Sequence, residues 1–173
     1  APQKDDELHI VSDLVQTGDM VVLVVPIDSA APKGRLIMPQ QQTIRDLLDH
    51  HAIPIVTQVE ELAGVLSALA DKVKLVITDS QAFKEVNQIV PADIPLTSFS
   101  ILFARHKGNL QQLMEGVRMV EQLRDGDKVL IAEGCTHRRQ CDDIGTVKIP
   151  NWLRTHTGCK LCLLYTSPSP RDT

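Results

Sequence analysis

The sequence predicts an α/β domain built on a mostly parallel sheet of about four to five strands with flanking helices, followed by a truncated second domain. Two observations carry that expectation. Short β-branched apolar runs recur along the chain, and segments with helical periodicity separate them, which is the alternation that builds a parallel sheet from right-handed crossovers. A third is the character of the runs themselves: Met20 to Val25 is apolar at every position, as a strand covered on both faces requires.

Further strands are predicted at Ile53 to Thr57, Val73 to Thr78, Leu96 to Ser100 and Lys128 to Ala132. Between them, Ile44, Leu47, Leu48 and His51 share one helical face, as do Leu62, Val65, Leu66 and Leu69, and then Leu110, Leu113, Met114 and Val117. Start signals agree with these helices: Pro39 suits a first turn, and Thr57 with Glu60 and Asn109 with Gln112 have capping-box spacing. His50 and His51 fall at a helix carboxyl end, where a cation is mildly favoured. Asp79-Ser80 reads as a helix N-cap.

Composition narrows the function classes. The net charge is −4 with no Lys/Arg cluster, and aromatic residues make up only 3% of the chain, which argues against a nucleic-acid surface. No apolar run is long enough for a membrane helix. Of the four cysteines, Cys135, Cys141 and Cys159 precede a run from Cys162 to Asp172 that resembles a translated sequencing adapter. An odd number of remaining thiols at irregular spacing points to a reducing compartment. The opening residues, Ala1 to Glu7, read as a linker rather than a targeting signal.

In α/β sheets, ligand chemistry concentrates in loops at the carboxyl ends of strands. Four such loops are polar: Pro26 to Met38, Thr78 to Gln81, Ser100 to Asn109, and Glu133 to Asp143. The last places Cys135, His137 and Cys141 just past a strand. Cys135-x-His137 can present two soft metal ligands from irregular backbone, and Arg138 and Arg139 favour the thiolate. Two more ligands are needed to complete a tetrahedral site or hold a cluster. Cys141 also reads as an ordinary loop thiol. One completion is a zinc site of Cys135, His137, Cys159 and Cys162. Another reading is a domain that binds a nucleotide or small ligand through loops at Lys33 and Asp79. No Gly-x-x-x-x-Gly-Lys-Ser/Thr pattern occurs, so no P-loop is present, and no catalytic Ser/His/Asp or Cys/His set emerges.

Several collinear blocks carry a resemblance: Val22 to Asp28, Ala31 to Ile37, Ile77 to Phe83, Phe99 to Arg105, Cys135-Thr136-His137, Asp142 to Gly145 and Val147 to Pro150. From about Gly18 to Trp152 the chain resembles the FeFe-hydrogenase maturation GTPase family, HydF. Gly134 departs from the pattern, where Ala is expected.

The resemblance implies a fragment. Residues 1–17 would be a linker from a missing N-terminal GTPase domain, 18–127 an α/β dimerisation domain, 128–161 the start of an iron–sulfur cluster-binding domain, and 162–173 adapter-derived. It implies a cytoplasmic scaffold or carrier that assembles the di-iron precursor of the hydrogenase active site and delivers it to the apo-enzyme, with radical maturation enzymes as partners. Cys135 and His137 match the family's first cluster ligands; the rest of the 4Fe-4S ligand set would lie beyond this chain, and GTP would bind only through the missing domain. The expected behaviour of this piece is a homodimer without catalysis of its own and without nucleic-acid or membrane contacts.

Overall fold

A computed structural model describes residues 9–26, 36–132 and 143–165. The chain divides into two compact units, Ala1–Leu110 and Gln111–Thr173.

The first unit is organised by β1 (Met20–Val24), whose residues Val21, Val22, Leu23 and Val24 have no exposed surface. It is flanked by β2 (Ile53–Thr57) on one side and β3 (Val73–Thr78) on the other, with β4 (Leu96–Ser98) outermost. The order is β2-β1-β3-β4 and every pairing is parallel. Successive side chains of a strand point to opposite faces, so β1 feeds two cores. Val21 and Leu23 join Leu75 and Ile77 beneath α1 (Met38–Asp49) and α4 (Phe99–Lys107), where Leu47, Phe99 and Leu102 are buried. Val22 and Val24 join Val76 against α2 (Val59–Leu69) and α3 (Phe83–Ile89), where Leu62, Leu66 and Val86 close the other side. At the start of the β1–β3 ladder the register slips so that Met20 faces Val73 and Val21 faces Leu75. The extra residue, Lys74, is exposed, as an unpaired residue at a β-bulge can be.

The predicted strands at 53–57 and 73–78 form with those bounds. The segment expected as strand and loop from Leu96 to Asn109 differs. Its strand ends at Ser98, whose hydroxyl accepts a hydrogen bond from the Ile101 amide at 3.3 Å and starts α4 at once. Phe99, Leu102 and Phe103 then lie on one helical face, with Phe99 and Leu102 buried. Arg105, His106 and Lys107 occupy the last turn, where the helix dipole favours cations.

Local signals around the other helices were partly met. α1 has Pro39 in its first turn, and the Gln40 side chain accepts from the Ile37 amide at 3.1 Å. Its inward face is Gln40, Thr43 and Leu47, while Leu48 is 52% exposed. His50 caps this helix and His51 takes a left-handed conformation with φ of 59°. Thr57 is the last residue of β2, its hydroxyl donates to the Gln58 carbonyl, and α2 begins two residues later at Val59. Asp79 accepts from the Gln81 amide in a turn, and α3 begins four residues later.

The second unit contains α5 (Leu110–Val120), β5 (Lys128–Ile131), a π-helical turn at Ile144–Lys148, α6 (Ile149–Thr157) and β6 (Cys162–Tyr165). β5 and β6 pair in parallel, with Lys128 opposite Cys162 and Ile131 opposite Tyr165. Two hydrogen bonds join the approaches to these strands: Gly126 donates to the Lys160 carbonyl, and Lys160 donates to the Asp125 carboxylate. Gly126 has φ of 89°, a conformation that suits glycine. Pro150 lies in the first turn of α6 and Gly158 ends it at φ of 67°.

Candidate functional site

The loop singled out by its chemistry, with Cys135, His137, Arg138, Arg139 and Cys141, lies outside the described residues, as do Lys33, Gly34 and Arg35. Its two flanks are described. β5 ends at Ile131 on the near side. On the far side, the Asp143 carboxylate accepts from the Thr146 amide at 2.7 Å and from the Thr146 hydroxyl at 2.8 Å, capping the turn that leads into α6.

Cys159 and Cys162 are free thiols. Cys159 is half-buried in the turn after Gly158, its sulfur 3.3 Å from the Leu123 carbonyl oxygen. Cys162 is exposed at the start of β6, and its amide donates to the Asp127 carbonyl. Asp79 of the alternative ligand loop is taken up by its own turn.

A different constellation sits in the first unit, and the motifs in the sequence did not disclose it. Asp46, on α1, receives the segment that precedes β1. Its Oδ2 accepts from the amides of Ile10, Val11 and Ser12 at 3.1, 2.8 and 2.9 Å, and its Oδ1 accepts from the Ser12 hydroxyl at 2.9 Å. Burial pushes the Asp46 carboxyl upward, but these donors outweigh it and hold it below its ordinary value. One turn later on α1, His50 places Nδ1 2.8 Å from the Asp46 carbonyl oxygen and 3.5 Å from Oδ1. His9 places Nδ1 2.8 Å from the Ser12 hydroxyl oxygen, and the two imidazoles meet edge to face at 5.2 Å. One ring nitrogen of each histidine and one Asp46 oxygen lie within 4.8 Å of one another.

The same segment is held from α4. Arg105 makes a two-pronged ion pair with Asp13, at 2.7 and 2.6 Å, and donates to the Ile10 carbonyl at 2.9 Å. The guanidinium hydrogen bond, against the smaller effect of burial, holds the Asp13 carboxyl below its ordinary value, and the same bond raises Arg105. The i, i+4 spacing of Asp46 and His50 was a usable signal for a shared helical face. Nothing in the sequence linked that face to His9, more than thirty residues earlier.

Among the described residues, no helix is long and apolar enough to cross a membrane. No match to the curated proteins reaches significance. Among solved structures, the crystal structure of VinN is similar over 91% of this chain and 50% of its own length, with 14% sequence identity and a TM-score of 0.41. This chain therefore spans half of VinN, and a likeness at that level carries no argument about chemistry. Two family models match: the hydrogen maturase F dimerization domain over residues 10–108, and the hydrogen maturase F tetramerization domain over residues 111–169. The first covers the β2-β1-β3-β4 sheet with α1 to α4, and the second covers the β5–β6 unit. The chain belongs to the hydrogen maturase F family.

Proposed function

We propose that this chain is the assembly portion of a hydrogenase maturation factor, a module whose copies associate so that a cluster-bearing segment is presented at a fixed place. The observation that carries the reading is the exposed apolar face of α5. None of its residues is buried, and Leu113, Met114 and Val117 are 50%, 50% and 69% exposed along the stripe that helical spacing puts together. An eleven-residue helix has little stability of its own in water and depends on packing of its apolar face. The same unit exposes Leu130, Trp152 and Leu164 by 62%, 61% and 45%. Apolar surface of this kind is what an association surface supplies, and the family's dimerization and tetramerization domains support copies of the same chain as the partner.

The test is the size of the assembly. Val117→Glu places a charge on the α5 stripe at a position that is 69% exposed. Its sedimentation velocity profile is expected to shift to smaller species than the unsubstituted chain, with the circular dichroism spectrum retained. An unchanged assembly would remove α5 from the interface.

The finer reading follows the family. Cys135 and His137 would supply the first ligands of a 4Fe-4S cluster in a cytoplasmic, GTP-dependent scaffold that delivers a di-iron precursor to the apo-hydrogenase. What supports it here is donor chemistry: a thiolate and an imidazole two residues apart, after a strand, suit iron. GTP hydrolysis would belong to another domain. Anaerobic iron and sulfide reconstitution of the whole protein tests the ligand assignment. Cys135→Ser should lose cluster absorbance, and full retention would remove Cys135 from the ligand set.

A further inference from the structure

We propose that His9, Asp46 and His50 form a second, cysteine-free metal site in the first unit, taking a borderline divalent cation of the zinc class. The site is distinct from the cluster reading above and does not depend on it.

Three donors converge from two places in the chain. Asp46 and His50 lie one turn apart on α1, and His9 stands at the head of the turn that Asp46 anchors. All three are partly buried and offer one ligand atom each within 4.8 Å of the others. Tetrahedral zinc sets its ligand atoms about 3.3 Å apart, given metal–nitrogen bonds of about 2.0–2.1 Å. Binding would draw the three ligand atoms together by up to about 1.5 Å.

The hydrogen bonds around these groups are compatible with the state a metal requires. A carbonyl oxygen only accepts, so the contact from His50 to the Asp46 carbonyl puts the proton of a neutral His50 on Nδ1. Ser12 has one hydroxyl proton and gives it to Asp46. His9 must therefore donate to Ser12 through its own Nδ1. Both contacts fit imidazoles that carry a proton on Nδ1 and leave Nε2 to face an ion, the arrangement seen when partners outside the coordination sphere orient metal-bound histidine. Asp46 Oδ2 is occupied by three amides, while Oδ1 accepts only the Ser12 hydroxyl among the hydrogen bonds of the described residues and keeps a lone pair for the ion.

Charge and softness select the cation. Two neutral imidazoles and one carboxylate give the site a single negative charge. Imidazole ligands suit zinc, cobalt, nickel and copper, whereas magnesium and calcium favour oxygen. Arg105, whose charge reaches Asp46, is itself paired with Asp13. Water would fill the remaining position, and the bound ion would fasten the segment that enters the first strand to the end of α1.

Cobalt(II) is the probe, because its visible bands report coordination and its near-ultraviolet charge-transfer band reports thiolate. The whole chain, stripped with chelator and kept reduced, is expected to bind one equivalent with visible bands and no thiolate band. His50→Gln and His9→Gln should weaken that binding by about tenfold or more, and Cys135→Ser should leave it unchanged. Zinc should raise the melting temperature of the unsubstituted chain and of Cys135→Ser, but not of the histidine variants. In the unsubstituted chain, the first zinc equivalent should shift two histidine imidazole signals in the NMR spectrum, a readout that needs no variant. Binding retained in both histidine variants, a thiolate band for that first equivalent, or no imidazole shift would each overturn the proposal.

Discussion

Asp46 and Asp13 tie the segment ahead of β1 to two helices that arrive much later in the chain, and both do so as anions. Asp46 neutralises the amide end of the Ile10 to Leu14 turn, and Asp13 is gripped by Arg105 from α4. Because the folded Asp13 carboxyl lies below its ordinary value of 3.8, its contribution to stability is fully present above that pH. It is lost as the pH falls through the lower folded value. Asp13→Asn should therefore show a shallower loss of urea resistance between about pH 5 and pH 2 than the unsubstituted chain. Asp13 is 40% exposed on its side chain, so solvent screening keeps the effect modest. Equal acid sensitivity in the two proteins would show that the ion pair adds nothing. These contacts were not legible in the sequence, since hydrogen bonds across 34 to 36 residues leave no local spacing to read. The placement of His50 at the end of α1 was legible, because it follows from helix length alone.

At the scale of elements, the strands buried on both faces were the clearest signal. Val21 to Val24 and Val73 to Thr78 are apolar or β-branched almost throughout, and the sheet places both strands in its interior. β2 carries Pro54 and lies on the edge. Ile53 donates to the Asp19 carbonyl and Thr57 accepts from Val25, so alternate residues face β1 and Pro54 faces outward, where its missing amide breaks no ladder bond. The β4–α4 junction was misread because Leu96 to Phe103 is nearly continuous in apolar and hydroxyl residues, and such a run has no period that separates strand from helix. Ser98 decides it through its cap. Ser98→Ala should lower stability by about 1 kcal/mol, read from urea denaturation. No measurable change would mean that packing of Phe99 and Leu102 alone starts the helix. The α5 stripe illustrates the opposite limit: its period was legible and the helix forms, but periodicity says only which residues share a face, not what covers it.

The chain joins a unit with two well-filled cores to one whose described residues bury almost no apolar side chains. Among the described residues of the second unit, only Ile131 and Pro150 are buried, while α5 and the β5–β6 pair leave large apolar side chains in solvent. The burial among these described residues does little to offset the entropy of ordering, and association through these faces, as proposed above, would supply further contacts. That logic agrees with a family whose two matched domains are both described by self-association. The most direct test is the mass of the unsubstituted, reduced chain by analytical ultracentrifugation across a range of low micromolar concentrations. The account predicts a dimer or larger species whose share grows with concentration; a monomer at every concentration, with the circular dichroism of a folded protein, would contradict it.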